Sequence, residues 1–155
     1  MQDQTQQWEK RLYFLRTCEI FQNFSPEELR LIAERSPDRI IRPGEYVFSN
    51  REEAAAFYVL KKGRVKLVRV SPEGSERIED VLFPCDVFGL FFDEPGEAAG
   101  EVDLRAEALT ESLVGTMERE TLEEMIQRSP RVALMITRAL VDRLRESQRR
   151  LDRLY

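Results

Sequence analysis

Eight carboxylates, Glu79, Asp80, Asp86, Asp93, Glu94, Glu97, Glu101 and Asp103, lie between Arg77 and Arg105 with no Lys or Arg among them. Such a stretch repels a phosphodiester, since at about 6–8 Å each screened like-charge pair costs a few tenths of a kcal/mol. Inside it runs an apolar segment, Val87, Phe88, Leu90, Phe91 and Phe92 around Gly89. That segment suits either core packing or a pocket for a small apolar or aromatic ligand. The chain has no histidine, which removes His-dependent triads, His-ligated zinc and His-ligated haem. No catalytic residue, metal ligand or cofactor is assigned, and the chain is not expected to be an enzyme.

The two cysteines, Cys18 and Cys85, are 67 positions apart. They make no disulfide framework and fall short of the four thiolates of an iron–sulfur cluster. A reducing cytoplasm is the expected compartment. Cys85 stands beside Asp86 and near Asp80, whose charges disfavour a thiolate. It reads as a tolerated turn residue or, alternatively, as a redox group.

The elements that must position these residues are legible from spacing. The chain of 155 residues, 42% hydrophobic and 34% charged, is long enough for one domain with a real core. Its apolar runs are too short to span a bilayer, and its first residues, MQDQTQQWEK, lack the pattern of a secretory signal. Trp8, Leu12 and Leu15 predict a helix over residues 7–17. Ser25-Pro26-Glu27-Glu28 predicts a second helix, with Ser25 as N-cap and Glu28 completing a capping box, ending before Pro37.

From Asp38 to Met117 short β-rich runs alternate with turn signals such as Pro43-Gly44, Lys62-Gly63 and Pro72-Glu73-Gly74. In Arg64–Val70 the alternation puts Val65, Leu67 and Arg69 on one face and Lys66, Val68 and Val70 on the other. Many short strands at this spacing predict a sandwich or barrel, of which the jelly roll fits best. Beyond Met117 the helical period returns, with Leu122, Met125 and Ile126 on one face. Ser129-Pro130 then starts a final helix. Its residues Ala133, Thr137, Leu140, Leu144, Ser147, Leu151 and Leu154 follow alternating steps of four and three, a heptad seam suited to pairing two copies. Residues 130–155 carry seven Arg and three acids, or +4, whereas residues 1–129 carry 17 basic and 26 acidic residues, or −9. An acidic body with one basic helix is not the footprint of a nucleic-acid-binding domain.

This order resembles the sensor domain of the CRP/FNR superfamily of bacterial transcription regulators. Phe24–Leu29 looks like the family's entry helix, Ile41–Phe48 like its first β-roll strand and turn, and Phe57–Leu67 like the segment ending at a glycine turn. Asp86–Leu90 resembles the entrance to the cyclic-nucleotide phosphate cassette, and Leu104–Thr110 the strand after it. The resemblance implies a double-stranded β-roll over residues 1–129, mainly β with flanking helices, followed by a dimerisation helix over 130–155. It implies DNA binding only through a helix-turn-helix domain that would follow Tyr155, so neither DNA nor a membrane is a partner expected of these residues.

The resemblance also implies an effector pocket, lined by Gly89, Leu90, Phe91, Phe92, Ala99, Gly100 and Arg105, with Ser147 and Gln148 of the long helix at its level. Cyclic AMP is nevertheless not expected as the effector. The family's Gly-Glu pair is Gly89-Leu90 here, and its cassette Arg falls near Ala99 or Gly100. A missing bidentate Arg removes about 1.5–3 kcal/mol of charged hydrogen bonding. Arg105 is the one basic residue nearby, and it matches a strand position. Ser147 reads either as a register-setting break in the seam or as a ligand contact. The expected function is therefore that of an effector-sensing, homodimerising regulatory domain. A stand-alone interaction module on the same roll is the alternative.

Overall fold

Helix starts and strand pairings in the chain follow from local chemistry. In the computed structural model, which describes residues 2–90 and 103–154, Glu28 N–H donates to Ser25 Oγ at 3.1 Å. In return Ser25 N–H donates to Glu28 Oε1 at 2.9 Å, so the capping box forms. The described residues group into two compact units, Met1–Arg35 with Glu120–Tyr155, and Ser36–Arg119.

The first unit is helical. It contains α1 (Gln2–Thr17), a 3-10 turn (Glu19–Phe21), α2 (Pro26–Arg35), α4 (Arg119–Arg128, which begins at the unit's edge) and α5 (Pro130–Asp152). Helix α1 is longer than the predicted 7–17. Leu29, Ile32 and Ala33 bury one face of α2, and Leu122 and Met125 bury one face of α4. Arg11 Nη1 donates to the Ala33 carbonyl at 3.3 Å, fastening α1 to α2. The Phe21 and Phe24 rings meet at 5.6 Å. None of the helices among the described residues is long and apolar enough to cross a membrane.

The second unit is a β-roll of eight antiparallel strands among the described residues. They are β1 (Asp38–Ile41), β2 (Tyr46–Phe48), β3 (Phe57–Lys62), β4 (Val65–Val70), β5 (Glu76–Leu82), β6 (Val87–Gly89), β7 (Asp103–Ala108) and β8 (Ser112–Met117). Sheet order is β1-β8-β3-β6 in one sheet and β2-β7-β4-β5 in the other. The sequence does not announce the short α3 (Arg51–Ala54), which is capped by Asn50 Oδ1 accepting from Glu53 N–H at 2.9 Å.

Between the sheets lies a core built from Ile41, Val47, Phe48, Tyr58, Leu60, Val65, Leu67, Leu82, Phe88, Ala106, Ala108 and Val114. The alternation expected of β4 holds at Val65 and Leu67, which face this core. Lys66, one residue out of phase, pairs instead with Glu107 at 3.5 Å. The β3–β4 turn requires glycine at position 63. Its φ is +97°, and a Cβ there would lie 2.3 Å from Ser112 Oγ and 2.5 Å from the Glu111 carbonyl.

Neither cysteine carries a free thiol. The reading of Cys85 as a thiol is thereby corrected. The turn itself is real, with Cys85 at φ +76°.

Candidate effector-binding site

The segment predicted to open the pocket is a left-handed turn. Gly89 closes β6 at φ +93°, and Leu90 follows at φ +58°. A Cβ on Gly89 would fall 2.1 Å from the Ala56 carbonyl oxygen and 2.8 Å from Tyr58 Cδ2. Only glycine allows that approach. Leu90 N–H then donates to the same Ala56 carbonyl at 2.9 Å, so this oxygen pins both residues. The absence of a side chain at 89 is thus a packing requirement of β3 against β6.

Behind the turn three rings fill the roll. Phe48 and Tyr58 lie 5.3 Å apart between centroids, Tyr58 and Phe88 stack at 5.2 Å, and Phe48 and Phe88 are 6.3 Å apart. All three are buried. The Tyr58 hydroxyl donates to the Glu53 carbonyl at 2.5 Å, and burial pushes its pKa up to about 12. Thr116, opposite Tyr58 in the β3–β8 register, has a buried Oγ1 with no hydrogen-bond partner among the described residues. The spacing in the sequence revealed the apolar segment but not this aromatic stack, because Phe48, Tyr58 and Phe88 come from three separate strands.

Arg105 lies on β7 between core residues Leu104 and Ala106, with Val68 as its partner on β4. Strand alternation turns its side chain to the face opposite Ala106. There Nε donates to Asp103 Oδ2 at 3.2 Å, and the guanidinium lies 5.9 Å from the Tyr46 ring centroid. The hydrogen bond to Asp103 holds Arg105 further in its charged form. Of the eight acids that surround Gly89 in the sequence, several are committed locally. Glu79 pairs with Arg69, and Asp86 Oδ2 accepts from Phe83 N–H at 2.8 Å. Asp80 Oδ1 accepts from Val81 N–H at 2.8 Å.

Phe91, Phe92, Ala99 and Gly100 lie outside the described residues. Ser147 and Gln148 belong to α5 in the helical unit, Ser147 half-buried and Gln148 exposed. Gly89 and Leu90 are thus brought to the aromatic stack, whereas Arg105 is turned away from the core beside it. Among the described residues no cluster of acids and cysteines is arranged to hold a metal ion.

Helix α5 carries two apolar rows. Val132, Met135, Ile136 and Ala139 are buried. On another side Leu134, Leu144 and Leu151 are 62%, 59% and 53% exposed, with Val141 at 39%, and Leu154 just past the helix end is 78% exposed. The seam predicted from spacing shares Leu144, Leu151 and Leu154 with the exposed row. Its members Ala133, Leu140 and Ser147 are half-buried. Leu134 and Val141 are exposed apolar positions that the seam omitted. Glu146 meets Arg149 at 3.5 Å and Arg150 at 3.8 Å, the second being the helical i,i+4 pair expected from the sequence.

Comparison with known proteins adds the following. Residues 38–129 match the description "Cyclic nucleotide-binding domain". The chain is 28% identical over 133 residues to the CRP-like cAMP-activated global transcriptional regulator of Mycobacterium tuberculosis, a match covering 85% of this chain and 58% of that protein. It is 31% identical over 135 residues to the cyclic AMP receptor protein of Thermus thermophilus, covering 86% and 60%. The chain therefore spans about three fifths of the length of these relatives. Among solved structures, the sensor domain of the transcriptional regulator DNR from Pseudomonas aeruginosa superimposes with a TM-score of 0.68 at 28% identity, covering 94% of this chain and 93% of that one. The catabolite activator protein of Thermus thermophilus gives 0.62 at 29% identity, covering 87% and 62%.

Proposed function

Because the chain belongs to the cyclic nucleotide-binding domain family, we propose that it is the effector-sensing and dimerising domain of a CRP/FNR-type transcription regulator whose effector is not cyclic AMP. The observation that carries the second half is Arg105. It is the first basic residue after Arg77, and its guanidinium is paired with Asp103 on the face of β7 opposite Ala106. A cyclic phosphodiester needs a cation with free donors turned toward it. In its place the turn at Gly89-Leu90 meets an aromatic stack, and an apolar or aromatic effector suits such a wall.

The pairing half rests on α5. A helix packed through one side alone shows one apolar stripe, and the exposed row Leu134, Val141, Leu144, Leu151 and Leu154 is a second. Its steps of seven and three residues keep it along one flank of the helix, where the same helix of another copy can pack. No metal or cofactor is assigned to this role, and the role is that of a cytoplasmic sensor.

Calorimetry of the 155-residue chain with cyclic AMP at millimolar concentration tests the effector reading, with a thermal-shift screen of small aromatics beside it. No heat of binding is expected with the nucleotide. A ligand at 100 times its Kd would add about 2.7 kcal/mol of stability, so a true effector is readily seen. A micromolar Kd for cyclic AMP would overturn the proposal.

A further inference from the structure

Helix α5 begins with Pro130 at its first position but with neither a side-chain cap from Ser129 nor an acid in its first turn. The second residue is instead Arg131, a cation at the end where the helix dipole is already positive. Its guanidinium reaches out of the helix altogether. Nη1 lies 3.2 Å from Glu28 Oε1, and Nη2 donates to the Asn23 carbonyl at 2.5 Å.

Glu28 is the same carboxylate that accepts from Ser25 N–H in the capping box of α2. Its side chain is 12% exposed, and its buried Oε2 has no hydrogen-bond partner among the described residues. A carboxylate so enclosed is costly to leave without a counter-charge. The Arg131 side chain is 53% exposed, so water stands ready to take the guanidinium when it lets go. Strength on one side and ready solvation on the other are what an opening contact needs.

We infer that Glu28 and Arg131 form a latch in which one guanidinium holds the start of α5 to the capped start of α2, so that the two helix starts hold or open together. The latch lies wholly within the helical unit. It is independent of which effector the roll takes, so its failure would leave the sensing proposal standing, and the reverse.

Hydrogen exchange of the full 155-residue chain, read by mass spectrometry, tests it with Arg131→Met, Glu28→Gln and the control Arg138→Met. Arg131→Met should speed exchange about tenfold at residues 24–30 and at residues 132–136 alike, the size expected for a half-solvated charged hydrogen bond. Residues 139–150 and strand β4 should keep the wild-type rate, as should the whole of Arg138→Met. Glu28→Gln retains an oxygen for Ser25 N–H while losing the charge, so it should speed residues 132–136 more than residues 24–30. No change in Arg131→Met, change in only one of the two segments, or an even rise across the helical unit would each overturn the latch.

Discussion

The Lys61 ammonium lies 2.6 Å from Asp38 Oδ1 across the bare backbone of Gly115. The two residues come from β3 and β1, and β8 runs between those strands. A Cβ at position 115 would be 3.3 Å from Lys61 Cε and 3.4 Å from Asp38 Oδ1, so the glycine leaves the space in which the pair meets. The Lys61 side chain is 4% exposed and that of Asp38 23%. Asp38→Ala, which strips a carboxylate from a buried cation, should cost about 2–3 kcal/mol in urea unfolding. Lys61→Met in the same background should recover most of that loss. A single-variant cost below about 0.5 kcal/mol, the level of an ordinary surface change, would contradict a buried pair.

The exposed row of α5 predicts the oligomeric state. Wild type should scatter light as a dimer at micromolar concentration, and Leu144→Glu should scatter as a monomer with its circular dichroism retained. A charge placed in the seam appears twice by symmetry, so several kcal/mol of pairing is lost. A wild-type monomer at about 50 µM, well within mass-action reach of a stable interface, would refute the pairing proposal.

Tyr58 predicts a loss of stability in alkali. Its folded pKa, pushed up to about 12 by burial, stands above the ordinary tyrosine value of 10.0. Below pH 10 both states hold the proton and the full contribution is present. As pH rises toward 12 the unfolded chain releases its proton while the folded chain keeps it, so stability falls across that window, by about 2 kcal/mol. Tyr58→Phe should flatten this part of the pH–stability curve, although it starts lower for want of the hydrogen bond to Glu53. An unchanged slope between pH 10 and 12 in the Phe variant would show that other groups set it.

Two glycines separate backbone strain from crowding. Gly44 and Gly89 have φ of +85° and +93°, but among the described residues nothing lies within 4 Å of a Cβ at Gly44, while the Ala56 oxygen is 2.1 Å from one at Gly89. Gly44→Ala should therefore cost only the left-handed penalty, about 1–2 kcal/mol. Gly89→Ala must also move β3, and should cost at least about 3 kcal/mol. Equal losses in chemical denaturation would mean that the roll yields easily at Ala56.

What could be read in the sequence was what local chemistry decides. The Ser25–Glu28 box needs four residues and is present as expected; the alternation of β4 holds through Leu67, whereas Val68 on the other face is buried as well. Arg105 was harder to place. Its partner Asp103 is two residues away, on the same side of a strand, and that spacing was a usable signal once the strand was granted. The Glu79–Arg69 and Asp38–Lys61 pairs depend on sheet register, which no single segment states. On α5 the heptad spacing identified a stripe but not its edges. Ala133 and Leu140 border the buried side while Leu134 and Val141 border the open one, and period alone assigns both pairs equally well.

Among the described residues strand β5 is the last strand of its sheet, seven residues long. The outer edge of such a strand can template another protein's strand and start an aggregate. Glu76, Arg77, Ile78 and Glu79 along it are all exposed, and three of these four are charged, with both signs represented. A strand arriving in any register would have to set its own side chains beside those charges. Ile78, 60% exposed, is the one place where an intruder could find grease. The open flank of the roll thus guards its own solubility, and a neutral substitution at Arg77 or Glu79 would remove a gatekeeper without touching the core.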